Sequence, residues 1–359
     1  MYNADDLENV ADGSRKKIPS YGEKVLPCSG RYIGVDIGGT KIAGALIRFD
    51  ADGGCRVLGL QRVKARRGNK QVLEDVNRVV RLLSDCASPS ALAEANHGED
   101  CRIRGIGLGI PGRVDSQTGV VANVANLDIS NLSLGDEIAK LTGLPAHVVN
   151  DVNAAAFGAY AMLGQQDRRF AQTQSEEDVI AFLNLGTGLA AGVLRNGMLD
   201  HGFSGVVGEI GHIPVERHGW ACGCGQKGCL ETAAGGNGIK RMWPQADPPM
   251  PDIIAKSHDV SDPEHHAAIE TLATVIGAIA DTIDILAMAV DPRIIMIGGG
   301  TAKTGKPLLD EIRAELLRRG RDSAFIASLK LENRLVLADP SQPIGCIGAG
   351  YAMARTINE

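Results

Sequence analysis

A strand–turn–strand unit occurs twice in this 359-residue chain, and the repetition limits the folds open to it. The first copy starts at Tyr32 and runs Ile33 to Phe49, reading IGVDIGGTKIAGALIRF. An apolar strand enters a Gly-Gly-Thr turn and a second apolar strand leaves it, which predicts a hairpin. The second copy is IAFLNLGTGLAAGVLR at 180–195. Laying Thr187 on Thr40, an offset of 147, places strand on strand, Gly186 on Gly39 and Arg195 on Arg48. Two related hairpins, each opening a domain, predict a duplicated α/β chain whose turns face each other across a cleft.

The chemistry of the turns fits a polyphosphate. Gly38 and Gly39 expose backbone N–H groups and let a phosphate approach closely. Thr40 adds a hydroxyl donor and Lys41 a cation. Asp36 ends the first strand with a carboxylate aimed at the same place, which makes sense if Mg²⁺ lies between them. One Gly-Gly hairpin is common and says little, but Gly186, Thr187 and Gly188 form a second such turn.

A second cluster sits in GFSGVVGEIGHIPVERHGWACGCGQKGCLE, residues 202–231. Three cysteines fall within eight residues, Cys222, Cys224 and Cys229, and His212 lies ten residues before the first. Three thiolates and an imidazole make a closed tetrahedral set of the kind a structural zinc prefers. Gly225 and Gly228 supply the turn that returns Cys229. Four filled protein positions leave no place for a reacting water, so the knot reads as scaffolding. Glu209 and Glu231 bracket it and would be drawn together around it. Cys28, Cys55, Cys86, Cys101 and Cys346 have no such grouping and read as small apolar residues.

Along the chain, residues 1–30 read as a polar extension containing Arg15, Lys16 and Lys17. Val72, Val76, Val79, Val80 and Leu83 mark an amphipathic helix over 71–84. A polar connection is expected at 87–102, then a strand at Ile103–Ile110 and a turn at Pro111–Asp115. Residues 123–131 read as a polar loop, with Asn126 as a ligand candidate or a backbone cap. A strand ends at Asn150 and a helix starts near Val152. Asp151 between them is either an N-cap or a catalytic group delivered at a strand end. Residues 244–263 read as a proline-rich surface excursion, and 267–290 as a buried core helix. Gly298-Gly299-Gly300 follows a strand at Arg293–Ile297. A helix at Leu308–Arg319 and a short strand at Leu335–Ala338 precede the last helix, near Gly345–Gly350. A net charge of -6 argues against a nucleic-acid or anionic-membrane surface. Eight scattered cysteines without a signal peptide suggest the cytoplasm.

These motifs together resemble the ROK family of sugar kinases and repressors. The resemblance runs from Tyr32 to the last helix. It rests on Asp36–Thr40, Asn150-Asp151-Val-Asn153, Leu185–Gly188, Gly208–His212, Cys222–Glu231 and Gly298–Gly300. It implies an actin-like, hexokinase-type (ribonuclease H-like) fold: two α/β domains with an interdomain cleft. One would be 31–149 joined by the last helix (345–359), the other 150–344 with the zinc-binding loop. It implies transfer of the ATP γ-phosphoryl to a hexose hydroxyl, with glucose at the 6-hydroxyl as first choice. Kinases for N-acetylmannosamine, N-acetylglucosamine, fructose or mannose use the same machinery. Asp151 resembles the general base, and Gly112, Asn126, Asn150, Glu209, His212 and Glu231 the sugar ligands. Asp36, Gly38, Gly39, Thr40, Lys41, Gly186, Thr187 and Gly188 resemble the phosphate and Mg²⁺ elements, with Gly299 and Gly300 by the nucleoside. His212 would serve zinc through one nitrogen and the sugar through the other. Many members carry an aromatic residue just past the Asn126 loop, where this chain has LDISN at 127–131. The family includes repressors with a DNA-binding domain ahead of the kinase-like part, for which about 30 residues are too few. Homodimers are common in it.

Overall fold

The computed structural model describes residues 28–51, 54–86, 102–115, 118–166 and 178–357. The basic triplet Arg15–Lys17, nearly all of the N-terminal extension and the polar connection up to Cys101 lie outside the described residues. The first half contains β1 (Gly30–Ile37), β2 (Lys41–Phe49), β3 (Cys55–Lys64), α1 (Asn69–Cys86), β4 (Ile103–Ile110), β5 (Arg113–Val114), β6 (Val120–Val124), β7 (Ile129–Ser133), α2 (Leu134–Thr142), β8 (Ala146–Asn150) and α3 (Asp151–Gln166). The second half runs β9 (Val179–Leu185), β10 (Leu189–Arg195), β11 (Met198–Leu199), α4 (Glu231–Ala234), α5 (Gly236–Met242), α6 (Pro249–Ser257) and α7 (His265–Val290). It closes with β12 (Ile294–Gly298), α8 (Lys306–Asp322), α9 (Ala324–Leu329), β13 (Leu335–Leu337) and α10 (Ile344–Thr356).

The duplication seen in the sequence is a duplication of sheets. The first has strand order β3-β2-β1-β4-β8 and the second β11-β10-β9-β12-β13. In each, an antiparallel hairpin is extended by two parallel strands beside its first strand. β1 and β9 are central and buried on both faces, which is why they read as continuous apolar runs.

The layers follow from which faces are apolar. Val72, Val76, Val79, Val80 and Leu83 of α1 pack with Ile33, Val35 and Leu46 on the outer face of the first sheet. α7 covers the outer face of the second, burying Leu272, Val275, Ile279, Ile283 and Leu286. α7 is long and apolar enough to cross a membrane, but this stripe is buried in the core. α3 and α10 lie between the sheets, in one core with Tyr32 and Phe49 from the first and Phe182 and Met296 from the second.

That middle layer is held by glycine. A Cβ on Gly348 would fall 1.6 Å from the Ala154 carbonyl oxygen, and one on Gly158 2.1 Å from that of Ile344. Gly34 and Gly107 admit α10 to the sheet in the same way, each with a carbonyl 1.8 Å from where its Cβ would be. The small residues of Gly345–Gly350 therefore serve backbone-to-backbone contact.

Two stretches differ from the sequence reading. Residues 123–131, expected as a polar loop, are mostly ordered into a small sheet of order β5-β6-β7. Val124, Leu127 and Ile129 are buried, and these apolar residues outweigh the polar ones between them. The same sheet takes Arg113 and Val114, expected as a turn, into β5. Residues 244–263, expected as a surface excursion, contain α6. Pro249 stands at its start, where a missing N–H costs nothing. Met250, Ile253 and Ile254 then recur at helical spacing and are buried beside Trp243. Substituting Gly348→Ala drives a methyl into backbone that cannot move aside. Urea unfolding should show a loss of about 3 kcal/mol; an unchanged midpoint would mean the two helices are not in contact there.

Candidate functional site

Each hairpin turn is closed by its own strand register. Ile37 pairs Ile42, and Gly38 N–H donates to Lys41 O at 3.0 Å. Leu185 pairs Leu189 around Gly186–Gly188. The glycines are required by close approach. A Cβ on Gly39 would lie 2.7 Å from Asn126 Nδ2, so the Asn126 side chain packs on the first turn. A Cβ on Gly188 would lie 2.2 Å from Glu231 Oε2, which accepts from Leu189 N–H at 3.1 Å. Glu231 therefore sits against the second turn. Gly236 N–H and Asn237 N–H donate to the Gly186 and Thr187 carbonyls. Gly299, at φ +92°, meets the Leu185 carbonyl and Asn184 Oδ1. The second turn, Gly235–Asn237 and Gly298–Gly300 thus form one glycine-rich wall, with Gly300 open.

Asp151 is the first residue of α3, at the end of β8. Sequence reasoning left it between cap and catalyst, and Asn150 takes the capping side. Asn150 Oδ1 accepts from Val152 N–H at 2.9 Å and Asn153 N–H at 3.3 Å, and its Nδ2 donates to Gly112 O at 3.2 Å. The Asp151 carboxyl is pushed up to about 6. Burial is the largest cause, followed by the nearby Asp36 carboxylate; helix N–H donors pull it partly back. Burial also raises Asp36, against the pull of Lys41. Two half-buried carboxyls, Asp36 close enough to raise Asp151, beside a glycine turn form a donor pair suited to a hard cation such as Mg²⁺.

Next to Asp151 opens a cleft of about 1420 Å³, lined by Gly112, Asn150, Glu209 and His212 among others. Asp151, Glu231 and Asn126 are not among its lining residues. The cleft also takes in Arg113, Thr118, Asn153, His201 and Phe203, none of which sequence reasoning singled out as a ligand. Thr118, His201 and Phe203 fall in turns and loops, Arg113 in the two-residue β5 and Asn153 in the first turn of α3, with no local pattern to mark them. Asn184 was missed for another reason: it sits inside an apolar strand, and only the fold brings it to Gly299.

His212, Cys222, Cys224 and Cys229 come together, their donor atoms all within 4.8 Å of one another. Cys222 Sγ lies 3.6 Å from His212 Nδ1, and Cys224 Sγ 3.7 Å from Cys229 Sγ. A tetrahedron with Zn–S of about 2.3 Å and Zn–N of about 2.05 Å has edges of about 3.6 and 3.8 Å, so the donor set fits. Gly225 and Gly228 have positive φ, as the tight return to Cys229 requires. His212 Nδ1 faces the thiols, and its Nε2 lies 4.0 Å from Glu209 Oε2. The loop is also fastened by a stack. The Trp220 ring lies between the His218 ring, 4.2 Å away and parallel, and the Arg241 guanidinium, 4.3 Å from the ring centroid.

The sequence model of the ROK family matches residues 32–355. The chain is 29% identical over 350 residues to a glucokinase of Halalkalibacterium halodurans, covering 91% of this chain and 96% of that one. It is 28% identical over 274 residues to an N-acetylmannosamine kinase of Yersinia pseudotuberculosis, covering 75% and 83%. It superposes on the crystal structure of a ROK family glucokinase from Streptomyces griseus in complex with glucose and AMPPNP. There the TM-score is 0.63 and the identity 28%, with 91% of this chain and all of that one covered.

Because the folded state raises the Asp151 pKa, its base form is present above about pH 6. The stability given by neutral Asp151 is complete below the ordinary carboxylate pKa and is lost as pH rises through about 6. A difference titration of the parent against Asp151→Asn should show one proton released with a midpoint near 6. A midpoint near 4 would mean the carboxyl is solvated.

Proposed function

The chain belongs to the ROK family and is an ATP-dependent sugar kinase, and from that premise we propose that it phosphorylates the 6-hydroxyl of glucose with Asp151 as the general base. The observation that carries this reading is the meeting of Asp151 and Asp36 beside the first glycine turn, at the edge of a cleft lined by Glu209 and His212. A carboxylate whose pKa is raised toward neutrality is matched to accepting a hydroxyl proton, which supplies about 10²–10⁴-fold. The fold itself is of the actin-like, hexokinase type, as in the glucokinase it superposes on. In our reading residues 31–149 with 345–359 form one domain and 150–344 the other, and closure of the two excludes water.

Gly38, Gly39, Thr40 and Lys41 cradle the phosphates from one side and Gly186, Thr187 and Gly188 from the other. Gly299 and Gly300 lie by the nucleoside. Asp36 holds Mg²⁺, which when bound neutralises charge on the transferring phosphoryl. Gly112, Asn126, Asn150, Glu209, His212 and Glu231 orient the sugar. Hydrogen bonds to several hydroxyls discriminate epimers, since an unmatched buried partner costs about 1–3 kcal/mol. Glu231 is held by Leu189 N–H and would present its second oxygen to the sugar. His212, Cys222, Cys224 and Cys229 hold zinc, which fixes the His212 ring so that Nε2 serves the cleft.

A second reading keeps the chemistry and changes the acceptor. The relationship to an N-acetylmannosamine kinase supports it; LDISN at 127–131, where many members place an aromatic, leaves the choice of sugar open. ADP release with Mg-ATP over glucose, mannose, fructose, N-acetylglucosamine and N-acetylmannosamine decides between them. Glucose should turn over fastest; preference for an N-acetylated sugar would move the assignment to the second reading. Asp151→Asn should bind sugar normally and lose at least about 10²-fold in kcat. A comparable kcat would remove Asp151 as the base. Cys224→Ala should lose the metal, measured as zinc per chain, together with sugar affinity. Full zinc content in that variant would mean the ligand set is different.

A further inference from the structure

Arg31 lies on β1, five residues before Asp36, and is only 4% exposed. Its Nε and Nη1 have no hydrogen-bond partner among the described residues. In the antiparallel register it stands directly opposite Arg48 of β2, and Arg48 stands directly opposite Arg56 of β3. Opposed residues share a sheet face with Cβ atoms about 4.5–5.5 Å apart, so three guanidinium side chains rise in a row from one face. It is the face under α1, because Ile33 and Leu46, two positions along from Arg31 and Arg48, belong to that core. Asp50 answers Arg48, with Oδ1 3.1 Å from Nε. No ion pair answers Arg31 among the described residues.

A guanidinium keeps its charge at every working pH, so burial cannot be relieved by losing a proton. A buried cation with two idle donors and a second arginine beside it is strongly unfavourable without a counter-anion. The planar forks of arginine side chains match the oxygens of phosphate-type anions. At about 3.3 Å per residue, five residues of strand put Arg31 roughly 17 Å from Asp36. The row is therefore distinct from the phosphate turns. We propose that Arg31, Arg48 and Arg56 form a second anion site, away from the cleft, that takes inorganic phosphate or the phosphate group of a monoester.

The test uses the full chain with zinc bound and the cleft held by glucose and AMPPNP, so that added anion cannot act at the turns. Inorganic phosphate and, separately, glycerol phosphate are titrated by calorimetry and by thermal unfolding against chloride at equal ionic strength. The parent should bind at least one of them saturably and unfold at a higher temperature; which one binds identifies the source of the phosphate group. Arg31→Met should lose that binding, and in chloride it should be at least as stable as the parent, because an unmatched charge is gone. Arg56→Gln, on the exposed edge of the row, should weaken binding about tenfold. The proposal is overturned if neither anion acts beyond ionic strength, or if Arg31→Met responds like the parent. If Arg31→Met does not fold, unchanged affinity in Arg56→Gln overturns it.

Discussion

Backbone contact between α3 and α10, made through Gly348 at Ala154 and Gly158 at Ile344, is the constraint from which the rest of the structure follows. Any side chain at these positions would press into the backbone of the facing helix. α10 begins at Ile344, and Gly345 lies against the Asp36 carboxyl, where a Cβ would come within 3.0 Å of Cγ. α3 begins at Asp151, over Gly109 of β4. The two carboxyls of the site are therefore brought together by the packing of the helices that carry or abut them.

The electrostatics then have a simple division of labour. Asn150 satisfies the first N–H groups of α3 and leaves Asp151 its raised pKa. Helix N–H donors already pull Asp151 partly back, and an Asp151 that took over the cap from Asn150 would be pulled down further. On the other wall stands the cysteine-histidine knot. Its four donors, all within 4.8 Å of one another, bring His212 and the segment leading to Glu231 together from sequence positions nineteen residues apart. Where a small loop cannot bury enough apolar surface to hold itself, metal donors are the usual substitute.

The parts of this architecture that were legible in the sequence are those written in local repetition. The paired hairpins, the α1 stripe and the cysteine spacing each state their structure within about twenty residues. The β5-β6-β7 sheet was hidden because its strands are short and alternate imperfectly, with positive φ at Asn123 inside β6 and at Asp128 just before β7. α6 was hidden by its prolines, which sit where a helix tolerates them. Of the candidate site, the turns, Asp151 and the metal donors could be named because glycine, carboxylate and thiol types in tight spacing have few other uses. Asn184, Phe203 and Arg113 could not, since their place depends on chain segments far away. Glu231 was named, but its hold on Leu189 N–H is a consequence of the second turn approaching α4, which no spacing encodes.

The chain has two tryptophans, and both belong to the second half. Trp243 is buried and donates to Asp252 at 2.7 Å, while Trp220 is sandwiched on the metal-donor loop between His218 and Arg241. The tryptophan emission of this protein, excited at the red edge where tyrosine does not absorb, is therefore a one-sided optical probe. One indole reports a constant interior, and the other reports whether the loop is stacked, quenched by an adjacent imidazole and guanidinium or released from them. Ordering of the loop can be followed by light alone, with no label and no signal from the first sheet.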